Sequence, residues 1–159
     1  KKIRRRKNKG MIKMKKSETA VDKFLAGYNC AQSVFYSFCD DLKLDKNIAL
    51  KIACGFGAGM GRKEEVCGAL TGGIMVIGMI YGREENQDPA KTDQTYQKTR
   101  ELMDRFIEKH NTYICRRLIE GCELTTPEGQ KEFIEKELKT KVCKQCVSNV
   151  VEILEDITD

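Results

Sequence analysis

The chain has 159 residues, 40% of them apolar and 33% charged, with no Trp and only two Pro. That is enough for one water-soluble domain with its own core. The formal net charge of +5 comes from one end: KKIRRRKNKG, residues 1–10, carries seven Lys or Arg and no acid, and the remainder sets 22 basic residues against 24 acidic ones. The folded part is therefore mildly acidic, which argues against a nucleic-acid-binding role. Residues 1–16 read as a basic, disordered leader and 17–159 as a single helical domain. No apolar core follows the basic run, so it is not a secretory signal, and a cytoplasmic location is expected.

From Ser17 onward almost every segment reads as helix. Ser17 is the expected cap of a first helix, with Val21, Phe24, Leu25 and Tyr28 on its inner face. A second helix is expected over 31–42, with Val34, Phe35, Phe38 and Leu42 facing inward. Asp45 caps a third, with Ile48 and Ile52 buried. GFGAGMG, residues 55–61, then places Gly at four alternate positions. It matches neither phosphate-loop pattern and no strand precedes it, so it reads as a tight turn wrapping closely around something.

Cys67 to Tyr81 is the apolar helix. Its uncharged run is shorter than the roughly 20 residues a membrane span needs. Gly68 and Gly72, and again Gly78 and Gly82, have the spacing that lets helices approach backbone to backbone. The segment reads as a buried central helix, and a homodimer contact along it is an expectation. Asp88-Pro89 opens a long helix with Tyr96, Leu102, Met103, Phe106 and Ile107 inside. A short helix is expected over 112–119, ended by Gly121, and Thr126-Pro127 opens another that reaches about Leu138. A last helix is expected from about Lys141 through Ile157. The fold class is all-α, a compact bundle of about seven or eight helices around a buried Gly-rich helix.

Eight cysteines stand at 30, 39, 54, 67, 115, 122, 143 and 146. In a reducing compartment structural disulfides are disfavoured, and metal or redox use gains weight. Cys30, Cys67, Cys115 and Cys143 fall near expected helix beginnings, where backbone N–H groups stabilise a thiolate. Lys141, Lys144, Arg116 and Arg117 beside two of them should lower their pKa further. Cys39 and Cys54 read as packing residues. Cys143 and Cys146 form one CxxC, and no second CxxC supports a zinc ribbon. His110, near the end of a charged helix, reads as an exposed structural histidine, and hydrolysis by a Cys–His pair is disfavoured.

YNCAQSV, GFGAGMGRKEEVCGALTGGIMVIGMIYG, CRRLIEG and VCKQCVSNVVEILEDI together resemble the C_GCAxxG_C_C family, described as redox-active. The family motif CGAxxG is Cys67-Gly68-Ala69-Leu70-Thr71-Gly72 here, and the resemblance covers about residues 20–157. It implies that Cys30, Cys67, Cys115 and Cys143 are the functional cysteines, and that Cys39, Cys54, Cys122 and Cys146 are additions of this chain. A related module in split-Soret cytochrome c associates similar cysteines with an iron–sulfur centre.

Three readings follow. The four cysteines hold an iron–sulfur cluster for electron transfer to a partner protein, with Gly57, Gly59, Gly61 and Gly68 giving it room and backbone N–H groups. Alternatively, Cys67 attacks in a metal-free thiol–disulfide couple, with Cys30 as a candidate partner. The third is a structural zinc site or a non-enzymatic interaction module. A c-type haem is excluded by the absence of CxxCH and by the single histidine.

Overall fold

A computed structural model describes residues 13–159. The basic stretch 1–10 lies outside the described residues. Among the described residues the fold is all-α, and the backbone pairing outside helices includes one isolated antiparallel bridge, Val66 with Ile114.

The segments are α1 (Lys16–Leu25), α2 (Cys30–Ser37), α3 (Cys39–Leu42), α4 (Lys46–Ala53), the short turn α5 (Gly57–Met60), α6 (Gly68–Tyr81), α7 (Ala90–His110), α8 (Cys115–Leu118), α9 (Pro127–Glu135) and α10 (Lys144–Thr158). More pieces are present than the pattern suggests, because the expected 31–42 helix breaks at Phe38. The last helix is entered through a π-helical turn, Lys139–Cys143.

Local chemistry explains the starts. Asp45 accepts a hydrogen bond from Ile48 N at 2.9 Å and Thr126 accepts from Gly129 N at 3.0 Å, as side-chain caps should. Ser17 is not a cap: α1 begins one residue earlier, with Glu18 accepting from Lys15 N at 3.3 Å. Asp88 supports α7 from outside, accepting from Ala90 N at 2.9 Å, while Pro89 occupies the cap position.

The main core is formed by α1, α2, α6, α7 and α10, where Leu70, Ile77, Leu102, Phe106, Val150 and Leu154 are fully buried. Burying each such side chain contributes roughly 1.5–3 kcal/mol. α6 is the buried Gly-rich central helix. A Cβ on Gly72 would lie 2.5 Å from Ala31 O of α2, and one on Gly73 would lie 2.9 Å from side chains of α7 and α10. Only the first small-residue pair makes such a contact, for nothing lies within 4 Å of a Cβ at Gly78. Several inward assignments are reversed. Ile48 is 51% exposed, Ile52 54% and Tyr96 59%, and Leu25 and Tyr28 also face outward. On α4 it is the small Ala49 and Ala53 that pack inward, because the helix lies close against its neighbour and leaves no depth for branched side chains.

A smaller cluster of Cys115, Ile119, Cys122, Leu124 and Leu138 packs beside the main core.

Candidate functional site: a five-cysteine cavity

Between the two cores lies a cavity of about 380 Å³, and Cys30, Cys67, Cys115, Cys143 and Cys146 all line it. Each cysteine is positioned by a different local device.

Cys30 is the first residue of α2. The preceding Asn29 accepts from Gln32 N at 2.9 Å, while Gln32 Oε1 accepts from Asn29 N at 3.1 Å. Asn29 Nδ2 also donates to Cys54 O at 2.8 Å, which ties the start of α2 to the end of α4. Cys67 is the cap residue of α6, and its own N–H donates to Tyr113 O at 2.8 Å. Cys115 N donates to Glu65 O at 2.6 Å. The isolated antiparallel bridge between Val66 and Ile114 therefore sets Cys67 opposite Tyr113 and Cys115 opposite Glu65, with the two cysteines diagonally across it although they are far apart in sequence. Glu64, only 2% exposed, completes the clamp: its carboxylate accepts from Leu124 N and from Arg116 Nη2, the latter at 2.9 Å.

The Gly-rich stretch forms a left-handed turn. Ala58, Gly59, Met60, Gly61 and Arg62 all have φ between 52° and 70°. Each non-glycine residue held there costs about 1 kcal/mol, and such strain concentrates at functional sites. Gly59 has a second reason to be glycine, since a Cβ there would lie 2.5 Å from Glu65 N. Ala58 lines the cavity with Cys30, and its N–H partly offsets the rise in the Cys30 pKa.

The four glycines expected at a cofactor have different surroundings. Gly68 borders the cavity, and a Cβ there would lie 2.6 Å from Cys30 Sγ. Gly57 packs on the Asn29 side chain, Gly59 on the 64–65 backbone, and Gly61 faces open space.

The five thiols do not share one ionisation. Cys67 is pulled below its ordinary value, first by a hydrogen bond from the Cys146 thiol and then by the N–H groups of Ala69 and Leu70 at the start of α6. Cys146 is shifted the opposite way, raised by that same hydrogen bond and by burial. Burial and repulsion from Cys67 push Cys30 up to about 11. Burial and repulsion from Cys30 and Cys67 push Cys143 up to about 12. Cys115 is raised by burial and by Cys67, Cys30 and Cys143. The expected lowering of Cys115 and Cys143 by nearby cations is thus reversed. Arg116 is spent on Glu64, Lys139 offsets little at Cys143, and desolvation dominates. Cys143 also lacks a free helix end, because the π-helical turn runs straight into α10.

Two further residues stand differently from expectation. Cys146 is 1% exposed at the cavity wall, which its place in a hydrophobic register concealed. His110 is half-buried, its ring 4.4 Å from Phe106 by centroids and its Nδ1 3.9 Å from Cys146 Sγ. Of the remaining cysteines, Cys39 and Cys122 are buried away from the cavity, while Cys54 is exposed rather than packed.

Among the described residues, no three His, Cys, Asp or Glu side chains are gathered closely enough to hold a metal ion. No described helix is long and apolar enough to cross a membrane. The chain is similar to an uncharacterized protein of Archaeoglobus fulgidus, 27% identical over 132 residues that cover 79% of this chain and 81% of the relative. No solved structure matches it. Residues 28–157 match the family described as "Putative redox-active protein (C_GCAxxG_C_C)", a span that includes all five cavity cysteines, and the chain belongs to that family.

Proposed function

We propose that the cavity is a thiol redox centre in which Cys67 is the attacking thiolate. The observation that supports this reading is the asymmetry of the five thiols. Cys67 alone has its charge favoured, by a thiol donor and a helix N-terminus, while Cys30, Cys115, Cys143 and Cys146 are held protonated around it. A thiolate in contact with a thiol is the arrangement that thiol–disulfide exchange requires. Exposed residues such as Tyr28, Arg62 and Ile134 line the same cavity, so small molecules can reach it from one side.

A second reading has its own support. The four motif cysteines come from four separate elements and face one space. The donor chemistry of Cys30, Cys67, Cys115 and Cys143 suits an iron–sulfur cluster, which would supply one-electron transfer when bound. The sulfurs are not gathered as a single ion requires, which also weakens the zinc alternative. A redox partner protein and a cytoplasmic setting belong to either reading.

One experiment separates the two. The chain is purified without oxygen, assayed for iron, zinc and acid-labile sulfide, then treated with limiting iodoacetamide at neutral pH and mapped by peptide. Cys67 alkylated ahead of the other cavity cysteines, in metal-free protein, is the expected result. Iron and sulfide in near-equal amounts, with Cys67 protected, would replace the thiol reading with the cluster.

A further inference from the structure

Cys146 is outside the four-cysteine motif, yet it lines the same cavity as Cys67 and it has a hydrogen-bonded chain behind it. His110 Nδ1 faces Cys146 Sγ at 3.9 Å. On the other side of the ring, His110 Nε2 lies 3.0 Å from Asn149 Oδ1. Asn149 Nδ2 donates to Glu152 Oε2 at 3.3 Å, which fixes the amide so that its oxygen faces the histidine. His110 Nε2 is therefore the donor, and Nδ1 is left as a free lone pair aimed at the Cys146 thiol. Cys146, Asn149 and Glu152 follow one another at three-residue spacing on α10 and share one face of it. The histidine comes from the C-terminal end of α7.

We propose that Cys146 is the cysteine that closes a disulfide with Cys67, and that His110, held by Asn149, takes the Cys146 proton as it does so. This deepens the thiol reading and rests on it. The oxidant is a small organic disulfide. The Cys67 thiolate attacks one of its sulfurs, the S–S bond breaks, and one thiolate leaves. The Cys146 proton passes to His110 Nδ1, and the Cys146 sulfur attacks Cys67 and expels the second half of the oxidant. That leaving thiolate recovers the proton from His110. The protein loses two electrons and the small disulfide gains them, becoming one thiol that carries the Cys146 proton and one thiolate, the first to leave, which takes its proton from water. Cys30 is less suited to the closing step, since its sulfur sits against Gly68, while the single histidine of the chain stands behind Cys146.

The charged and titratable groups around His110 are few. Lys109 lies on its own helix, Cys146 and, through Asn149, Glu152 face it from α10, and Cys67 stands beyond Cys146. Burial holds the imidazole below its ordinary pKa, so the neutral ring is present at neutral pH.

The test uses the reduced full-length chain and hydroxyethyl disulfide, with peptide mapping and a count of released mercaptoethanol. Wild type is expected to form the Cys67–Cys146 disulfide and release two thiols per chain. Cys146→Ser is expected to stop at a mixed disulfide on Cys67 with one thiol released; Cys146→Ala serves if a hydroxyl at this buried position unfolds the chain. In His110→Gln the first step proceeds at the wild-type rate, the mixed disulfide accumulates, and closure slows by about a hundredfold at neutral pH. Raising the pH restores closure, which a purely structural role would not produce. A wild-type disulfide from Cys67 to Cys30, or closure in His110→Gln at the wild-type rate, overturns the proposal while leaving Cys67 as the attacking thiolate. If Cys67 never forms a mixed disulfide in any variant, the thiol reading itself falls.

Discussion

Gly68 and Cys30 occupy adjoining space: a Cβ on Gly68 would stand 2.6 Å from Cys30 Sγ and 3.0 Å from Phe56 O. Gly68 is thus the floor on which the first cavity sulfur rests, and it immediately follows Cys67. Gly68→Ala must move either a sulfur or the α6 backbone, which should cost about 1–3 kcal/mol. Gly72→Ala meets a backbone oxygen of α2 instead, which yields less easily, so its loss should be larger. Gly78→Ala has open space and should be neutral or stabilise by about 0.5–1 kcal/mol. Thermal unfolding of the three variants checks the order, and a Gly68→Ala protein as stable as Gly78→Ala would refute the contact.

This contrast also marks how far the sequence reached. The repeated Gly-xxx-Gly spacing was visible twice, but only Gly68 and Gly72 face a neighbouring backbone. Spacing reports that a close approach is permitted, and a partner must still be present to use it.

Glu64 holds the two halves of the site together. Replacing it by Ala leaves the Leu124 N–H without its acceptor and removes the Arg116 contact, so a loss of about 1–3 kcal/mol is expected. Glu64→Gln keeps one acceptor oxygen and should lose less. Urea unfolding measures both, and equal losses would show that one remaining acceptor oxygen does not hold the clamp.

Alkaline stability should follow the cavity thiols. Cys30 and Cys143 release their protons near 11 and 12 in the folded protein, against an ordinary 9.0. Raised folded values mean stability that is complete below about pH 9 and is lost as pH climbs toward those values. In that window the unfolded chain binds fewer protons than the native one, so each such group costs about 1.4 kcal/mol per pH unit. Denaturation midpoints measured at intervals above pH 9 should fall, and Cys143→Ala should fall less steeply from its own starting point. A midpoint that does not change with pH would contradict buried, protonated thiols.

The cysteines outside the cavity should behave as packing. Cys39 and Cys122 are 1% and 0% exposed but do not line the cavity. Cys39→Ala and Cys122→Ala should each cost about 1 kcal/mol and leave the alkylation of Cys67 unchanged. Thiol mapping on these variants is the check, and slower Cys67 modification would extend the site beyond the five residues named.

The sequence by itself determined the helical class, the buried Gly-rich helix and the placing of Cys30, Cys67 and Cys115 at helix starts. These follow from local rules of periodicity, capping and glycine spacing, which act over a turn or two of chain. It also selected Cys67, because the residue that caps a helix is readable from the small apolar run after it. Only the packing of the helices brings the sulfurs into one space and sets how far each is desolvated. Cys146 reads as a core position on α10, and its place on the cavity wall with Cys67 depends on how α10 packs against α6. His110 looked exposed, and only its docking near Asn149 turns its free nitrogen toward a thiol. The flanking arginines and lysines promised lowered pKa values, but desolvation depends on burial, and burial is a property of the assembled fold.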